Sequence, residues 1–366
     1  MGDSSVGYDI PTECWGAVVK DEGPNFYVEV EKVPLTVASS PLGPNDVLIK
    51  LNATGICLSD IHYMLNDWNL PKMSDLGVKC AGHEGSGVIV KVGENVKGLK
   101  VGQRAGFKPI QNVCHICEHC KSGREQYCLR AVFTGGACDG SYKQYVISPD
   151  SYTTLIPDGV SDYVAGPVMC SASTVYTSIK ESGIRPGQFA VFPGGGGGVG
   201  IQGVQLAVAM GLRAVVIDTG DERRKLAMQL GAEYFVDFRK GDPVKEVVEL
   251  TEGGAHAVFV TAVQSYPISL GYLGVRAGGK VMCIGLPPHG KYHIDLDPST
   301  LVFRGQSIAG TLVSSMADID ETLDFARRGK LRLEPTVVGL SKFNEAVQKL
   351  KNGQVAGRIV VDFNLP

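Results

Sequence analysis

The sequence predicts an α/β chain in two parts, an irregular and mainly β part followed by a doubly wound parallel sheet. Three observations carry that prediction. At 366 residues the chain is longer than one average domain. As far as about Gly166, short β-like runs are broken by Gly and Pro, as in "VLIKLNATG" (Val47 to Gly55), "SGVIVKVGENV" (Ser86 to Val96) and "YKQYVISP" (Tyr142 to Pro149). Beyond Pro186, apolar strands alternate with helical stretches, the pattern of a parallel sheet.

The second part can be followed element by element. "QFAVFP" reads as a buried strand, the glycine run as a turn, and the small and apolar residues after it as a helix. "RAVVIDTG", a helical stretch from Asp221 to Leu230, and "EYFVDF" follow. "AHAVFVTAV", "GGKVMCIGL" and "SIAGTLV" complete six strands, enough for two mononucleotide-binding halves. The tail has an amphipathic segment, "ADIDETLDFARRG", and a last strand, "GRIVVDF", with no place in a six-stranded sheet. It is expected to return to the first part. There is no internal repeat.

Hydrophobic residues make up 44% and charged residues 20%, so a sizeable core needs no covalent staples. A net charge of −3 lacks the basic footprint of a nucleic-acid-binding protein. Met1 to Glu22 has no basic stretch followed by an apolar one, which argues against a signal peptide. "MGDSSV" places Val6 where a myristoylation signal needs Ser or Thr. No apolar run reaches the roughly 18 residues of a membrane span. The expectation is a cytoplasmic protein with no membrane partner.

Four of the ten cysteines lie in "CHICEHCKSGREQYC", at Cys114, Cys117, Cys120 and Cys128. In a reducing compartment such clusters are metal ligands rather than disulfides. Three cysteines at i, i+3 and i+6 plus a fourth make a complete four-thiolate set for zinc. His115 and His119 are surplus to it and read as solvated loop residues. A zinc-bearing interaction or nucleic-acid module remains an alternative at this point.

Gly194 to Gly198 are five consecutive glycines. From Gly195 the segment satisfies G-x-G-x-x-G at Gly195, Gly197 and Gly200, with Gly198 and Val199 inside it, between a predicted strand and a predicted helix. Gly195 would allow the tight turn, Gly197 the approach of a pyrophosphate and Gly200 close helix–strand packing. Asp218 ends the second strand, 18 residues beyond Gly200, where a carboxylate accepts the hydroxyls of the adenine ribose and repels a 2′-phosphate. That favours NAD(H) over NADP(H), although Arg223 nearby is a cation able to accommodate a phosphate.

"GICLSDIH", "GHEGSG" and "VMCSAS" add further ligand-type residues, each unremarkable alone. Taken in order with "GENVKG", the four-cysteine stretch, "MCSASTVY", "GGAHAV" and the terminal "GRIVVD", they make the chain resemble the zinc-dependent medium-chain alcohol dehydrogenases, yeast-type branch, over nearly its whole length. The resemblance implies a GroES-like mainly-β catalytic domain (1–168 and 314–366) and a Rossmann NAD-binding domain (169–313). It implies a homotetramer in preference to a dimer. It also implies two zinc ions per chain, one catalytic on Cys57, His83 and Cys170, and one structural on Cys114, Cys117, Cys120 and Cys128. Glu84 is similar to the family's glutamate behind the catalytic zinc, and Asp60 to the carboxylate that orients the ligand histidine. Ser59 and His62 match a proton relay, with His62 as the solvent-side acceptor. Thr174 and Val199 lie where the family contacts the nicotinamide, and Arg358 matches an arginine that reaches the pyrophosphate. The implied reaction moves a hydride between an alcohol or carbonyl substrate and NAD(H). A zinc-free, NADPH-dependent enone or quinone reductase of the same superfamily is the rival reading, and the three retained ligands argue against it.

Two departures from the family stand out. Leu58 replaces a His or Arg that touches the cofactor phosphate, which should weaken NAD(H) binding. Trp68 keeps a pocket aromatic, but Pro109 stands where yeast-type enzymes carry a second tryptophan. A smaller side chain there predicts a substrate bulkier than ethanol.

Overall fold

The computed structural model describes residues 7–35, 37 and 41–366. The "MGDSSV" segment with Val6 lies outside the described residues. Among the described residues, no helix is long and apolar enough to cross a membrane.

The mainly β part is built on a seven-stranded sheet. Its central antiparallel pair, Asp46–Gly55 and Glu84–Val92, carries "VLIKLNATG" and most of "SGVIVKVGENV". Tyr145–Pro149 pairs with the first of these strands, while Arg104–Phe107 and Thr153–Leu155 extend the sheet beyond the second. The tail does return here. Ile359–Asp362 runs antiparallel to Asp46–Gly55, and Thr336–Val338 lies outside it.

The second part is a six-stranded, all-parallel sheet. In chain order its strands are Phe189–Pro193, Arg213–Asp218, Tyr234–Asp237, Ala257–Val260, Lys280–Cys283 and Ser307–Gly310, arranged in space as 3-2-1-4-5-6. Alternation along each strand feeds two cores. Ala190, Phe192, Ala214 and Val216 face the helices Ser173–Ser182 and Gly200–Ala209 and the tail helix Met316–Arg327. Phe189, Val191, Val215 and Ile217 face the opposite layer with Val247 and Tyr272. Both faces are covered, so the strands read as continuous apolar runs. The order reverses beside Phe189–Pro193, and the crevice at the carboxyl ends of such strands is where this fold binds ligands.

Candidate active site

Cys57, His83, Glu84 and Cys170 are distant in sequence, and local pairing gathers them. Gly55, at the end of one central strand, sits opposite Glu84, at the start of the next, so Cys57 and His83 emerge side by side. Cys57 then caps the helix Leu58–Leu65 in a capping box with Asp60. Cys170 comes from Val168–Ala172, a single π-helical turn between the helices Asp162–Pro167 and Ser173–Ser182. Such turns recur at functional sites. Gly166 allows that segment to approach closely, because a Cβ there would meet the carbonyl oxygen of Glu84 at 2.6 Å.

One ligand atom from each of the four residues lies within 4.8 Å of the others. His83 Nε2 is 3.1 Å from Cys170 Sγ, and its Nδ1 is 2.6 Å from Asp60 Oδ1. Asp60 is fully buried, and its carboxylate also accepts from the peptide N–H groups of Gly82 and Cys57 and from the Tyr142 hydroxyl. A carboxylate so placed fixes the ring and leaves Nε2 to face the two sulfurs. Burial alone would lower the His83 pKa, but the Asp60 charge and hydrogen bond outweigh it and raise it to about 10. The hydrogen bond with Cys170 holds Cys57 well below the ordinary thiol range, with His83 and Arg358 adding to the pull. Glu84 is buried, with Oε2 on the Arg358 guanidinium and Oε1 without any partner. Two sulfurs, one directed imidazole nitrogen and an orphaned carboxylate oxygen make a donor set suited to a zinc ion with an open position.

The four cysteines of the second cluster converge as well. Peptide N–H groups point at their sulfurs, from Cys117 to Cys114 at 3.3 Å and from Cys120 to Cys117 at 3.5 Å. Those of Ile116 and Cys117 pull the Cys114 thiol down to about 6. A tetrahedral ion with about 2.3 Å arms to sulfur needs edges of about 3.8 Å. The Cys117–Cys120 and Cys114–Cys120 sulfur separations are 3.5 and 3.9 Å. His115 is exposed, as expected of a solvated loop residue, whereas His119 is half-buried and lies on the short helix Glu118–Lys121.

The two parts of the chain match two family models, "Alcohol dehydrogenase GroES-like domain" over residues 43–158 and "Zinc-binding dehydrogenase" over residues 198–328. Alcohol dehydrogenase 1 of Neurospora crassa is 38% identical over 359 residues, covering 97% of this chain and 98% of that protein. The chain belongs to the zinc-dependent medium-chain alcohol dehydrogenase family. An alcohol dehydrogenase of Schizosaccharomyces pombe is 36% identical, covering 97% and 99% of the two chains. Among solved structures, an alcohol dehydrogenase from the hyperthermophilic archaeon Aeropyrum pernix superposes with a TM-score of 0.83 at 26% identity, covering 95% of this chain and 100% of that one. Acetophenone reductase from Geotrichum candidum, in complex with NAD, gives 0.81 at 25% identity and covers 97% and 99%. The chain is therefore an alcohol dehydrogenase by reaction class, with GroES-like and Rossmann parts.

The glycine turn of this family member corrects the register read from sequence. The left-handed residue of the tight turn is Gly194, at φ 83°, and Gly195 is not at positive φ. Gly195 is instead packed, since a Cβ there would meet Val216 and the Phe192 carbonyl oxygen at 2.8 and 2.9 Å. Gly200 likewise abuts the backbone of Gly194 and Gly195, whereas a Cβ on Gly197 would meet only the Gly194 carbonyl oxygen, at 3.3 Å. Five identical residues carry no register, so only the backbone distinguishes them. Asp218 accepts from the Gly196 and Thr219 peptide N–H groups, both at 2.9 Å. Arg223 is committed to Asp218 at 3.3 Å and to the Gly353 and Val355 carbonyl oxygens at 3.0 Å each. Arg358 has Glu84 as its ion-pair partner, while its Cδ and Nη1 lie 2.7 and 3.1 Å from where a Cβ on Gly198 would stand. The guanidinium thus links the metal-type site to the glycine turn.

A cavity of about 970 Å³ opens onto Cys57, His83 and Cys170. Ser59, Thr174, Val199, Trp68 and Pro109 all line it, so the residue expected to begin a proton relay, the two expected on the nicotinamide side and the two expected pocket positions border one space. Thr174 Oγ1 donates to the Cys170 carbonyl oxygen at 2.7 Å. His62 departs from its expected place. It is only 7% exposed, so it does not face solvent directly, and Asp67 stands outside it. Sequence reasoning missed Tyr63 and His289, which also line the cavity. Tyr63 follows Ser59 at i+4 on one helix, a spacing that places them on the same face. Nothing in the sequence around His289 marks it.

Proposed function

We propose that the chain is an NAD(H)-linked alcohol dehydrogenase or carbonyl reductase holding two zinc ions, with a substrate bulkier than ethanol. The observation that carries this is the convergence of Cys57, His83 and Cys170 at a cavity also lined by Val199 and Thr174. Cys57, His83 and Cys170 would hold the catalytic ion, and the four clustered cysteines would hold the structural one. Bound zinc would supply Lewis acidity that favours the deprotonated alcohol; NAD(H) would supply the hydride acceptor or donor.

The chain's own residues do the rest. Asp60 keeps the His83 ring in one orientation and one tautomer. Arg358 neutralises Glu84, so that a buried carboxylate can stand beside two sulfurs. Ser59 takes the hydroxyl proton and starts it on the path to His62, one turn along the same helix. Thr174 and Val199 set the face of the cavity against which the nicotinamide would lie. Asp218 would accept the adenine ribose hydroxyls. Arg223 is held on three acceptors, so it is not a free cation for a 2′-phosphate, which supports NAD(H). Pro109 and Trp68 both line the cavity, and the small side chain at Pro109 supports a cyclic or aromatic substrate.

The test is a panel of primary, benzylic and cyclic alcohols and their carbonyl partners, run with both cofactors. The expected outcome is roughly tenfold or greater preference in kcat/KM for a bulky substrate over ethanol, in line with what pocket complementarity supplies, and faster turnover with NAD(H). Ethanol as the best substrate, or NADP(H) as the better cofactor, would reject the corresponding half.

A further inference from the structure

Tyr63 stands on the helix Leu58–Leu65 one turn beyond Ser59 and lines the large cavity. Its ring is held on two sides. Trp68 meets it edge to face at 5.1 Å and 77°, and Gly136 lies so close that a Cβ there would come within 2.4 Å of the ring. Only a glycine leaves room for the phenol at that point, and Gly136 borders the same cavity. The hydroxyl is the exceptional part. Tyrosine hydroxyls that are partly or fully buried usually find a partner. In this chain those of Tyr142, Tyr163, Tyr176 and Tyr266 donate to Asp60, Asp362, Glu321 and the Gly285 carbonyl oxygen. That of Tyr63 bonds to none of the described residues and is not sealed from solvent. The indole nitrogen of Trp68 can only donate, so it cannot take the phenol proton. Burial, helped by the charges of Asp60, Cys170 and Cys57, pushes the phenol pKa above its ordinary value, and the group stays a donor.

We propose that Tyr63 is a specificity-determining residue that donates a hydrogen bond to a second oxygen on the substrate. The preferred substrate is then a bulky alcohol or carbonyl compound with an additional acceptor oxygen on its apolar frame. The proposal rests on the reading of Cys57, His83, Cys170 and Ser59 as the reacting end of the cavity. A donor without a protein partner at a cavity wall bonds to water, and a substrate that covers it displaces that water. A purely hydrocarbon frame puts nothing in place of the lost bond and strands the phenol proton, whereas an ether, carbonyl or hydroxyl oxygen restores the bond. Trp68 and Gly136 already fix the ring, so little side-chain freedom is lost when the hydroxyl donates. Cavity size selects for bulk, and Tyr63 selects among bulky molecules.

The experiment compares near-isosteric alcohols on the zinc-loaded holoenzyme with NAD. Cyclohexylmethanol is set against tetrahydropyran-3-ylmethanol and tetrahydropyran-4-ylmethanol, in which one ring methylene becomes an oxygen that can only accept. The quantity read is the ratio of kcat/KM between the oxygenated and the hydrocarbon alcohol, in the wild type and in Tyr63→Phe. A general loss of activity in the variant cancels within that ratio, and intrinsic differences between the alcohols cancel when the two proteins are compared. For at least one of the two ring positions the ratio is expected to fall about fivefold or more in Tyr63→Phe, the size of one hydrogen bond. Equal ratios in the two proteins at both positions would overturn the proposal, and so would a ratio that rises when the hydroxyl is removed. If the wild type oxidises none of the three alcohols, the proposed function fails, while calorimetric Kd values for the same pairs in the two proteins still decide the role of Tyr63.

Discussion

Around Cys114 the four sulfurs come from one stretch of 15 residues and take hydrogen bonds from that stretch's own peptide N–H groups. Around His83 the ligands come from three separate elements, His83 and Cys170 being 87 residues apart, and a buried carboxylate aims the imidazole among them. The first arrangement is local and saturated, with four thiolates and no room for a substrate oxygen. The second is assembled by the fold, contains a carboxylate oxygen without a partner, and opens onto the large cavity. On the proposed function the difference separates stability from chemistry: the cluster legible at a glance would hold a lobe together, while the one dispersed along the chain borders the large cavity.

Three substitutions sharpen that contrast, in decreasing order of effect on turnover. His83→Ala removes a ligand of the open site and should lower alcohol oxidation roughly a thousandfold or more, because Lewis-acid stabilisation is worth several kcal/mol and each 1.36 kcal/mol is tenfold. Steady-state rates read this, with near-ultraviolet circular dichroism to show that the fold persists. Asp60→Asn leaves every ligand in place but replaces an acceptor of the His83 Nδ1 proton. It should cost about 10- to 100-fold in zinc affinity at the Cys57, His83 and Cys170 site, measured by competition with a chelator. Cys120→Ser should leave turnover per folded chain within about threefold. Its effect is on stability: a loss of about 4 kcal/mol, as expected for an opened structural metal site, lowers the thermal midpoint by roughly 5 °C in a chain of this length. If Cys120→Ser proved silent in the melt but abolished the rate, the two clusters would have to exchange roles.

Much of the fold could be read directly. Buried apolar runs alternating with helical stretches marked all six parallel strands, and the surplus strand "GRIVVDF" had to belong elsewhere; it pairs with Asp46–Gly55. The four-cysteine cluster was legible because its spacing is its geometry. The dispersed site was harder. No local pattern links Cys57, His83 and Cys170, and family resemblance supplied what spacing could not. In the π-helical turn that presents Cys170, the Ser171 hydroxyl donates to the Pro167 carbonyl oxygen, and propensity does not report such a turn. The tight-turn glycine was misplaced by one residue because a run of glycines has no internal register. His62 was expected to face solvent, but the left-handed Asn66 folds Asp67 and Trp68 over it. A single residue outside the helix reversed the local exposure. Tyr63 was recoverable from helical periodicity, and His289 was not, because a loop of the other domain delivers it.

The measurement closest to the central claim is zinc content and turnover determined together on Cys170→Ala. If the open site performs the chemistry, this variant retains one zinc per chain on the four-cysteine cluster, melts within a few degrees of the wild type, and has lost roughly a thousandfold or more of its alcohol-oxidising rate. Near-wild-type turnover with only that zinc bound would contradict the claim.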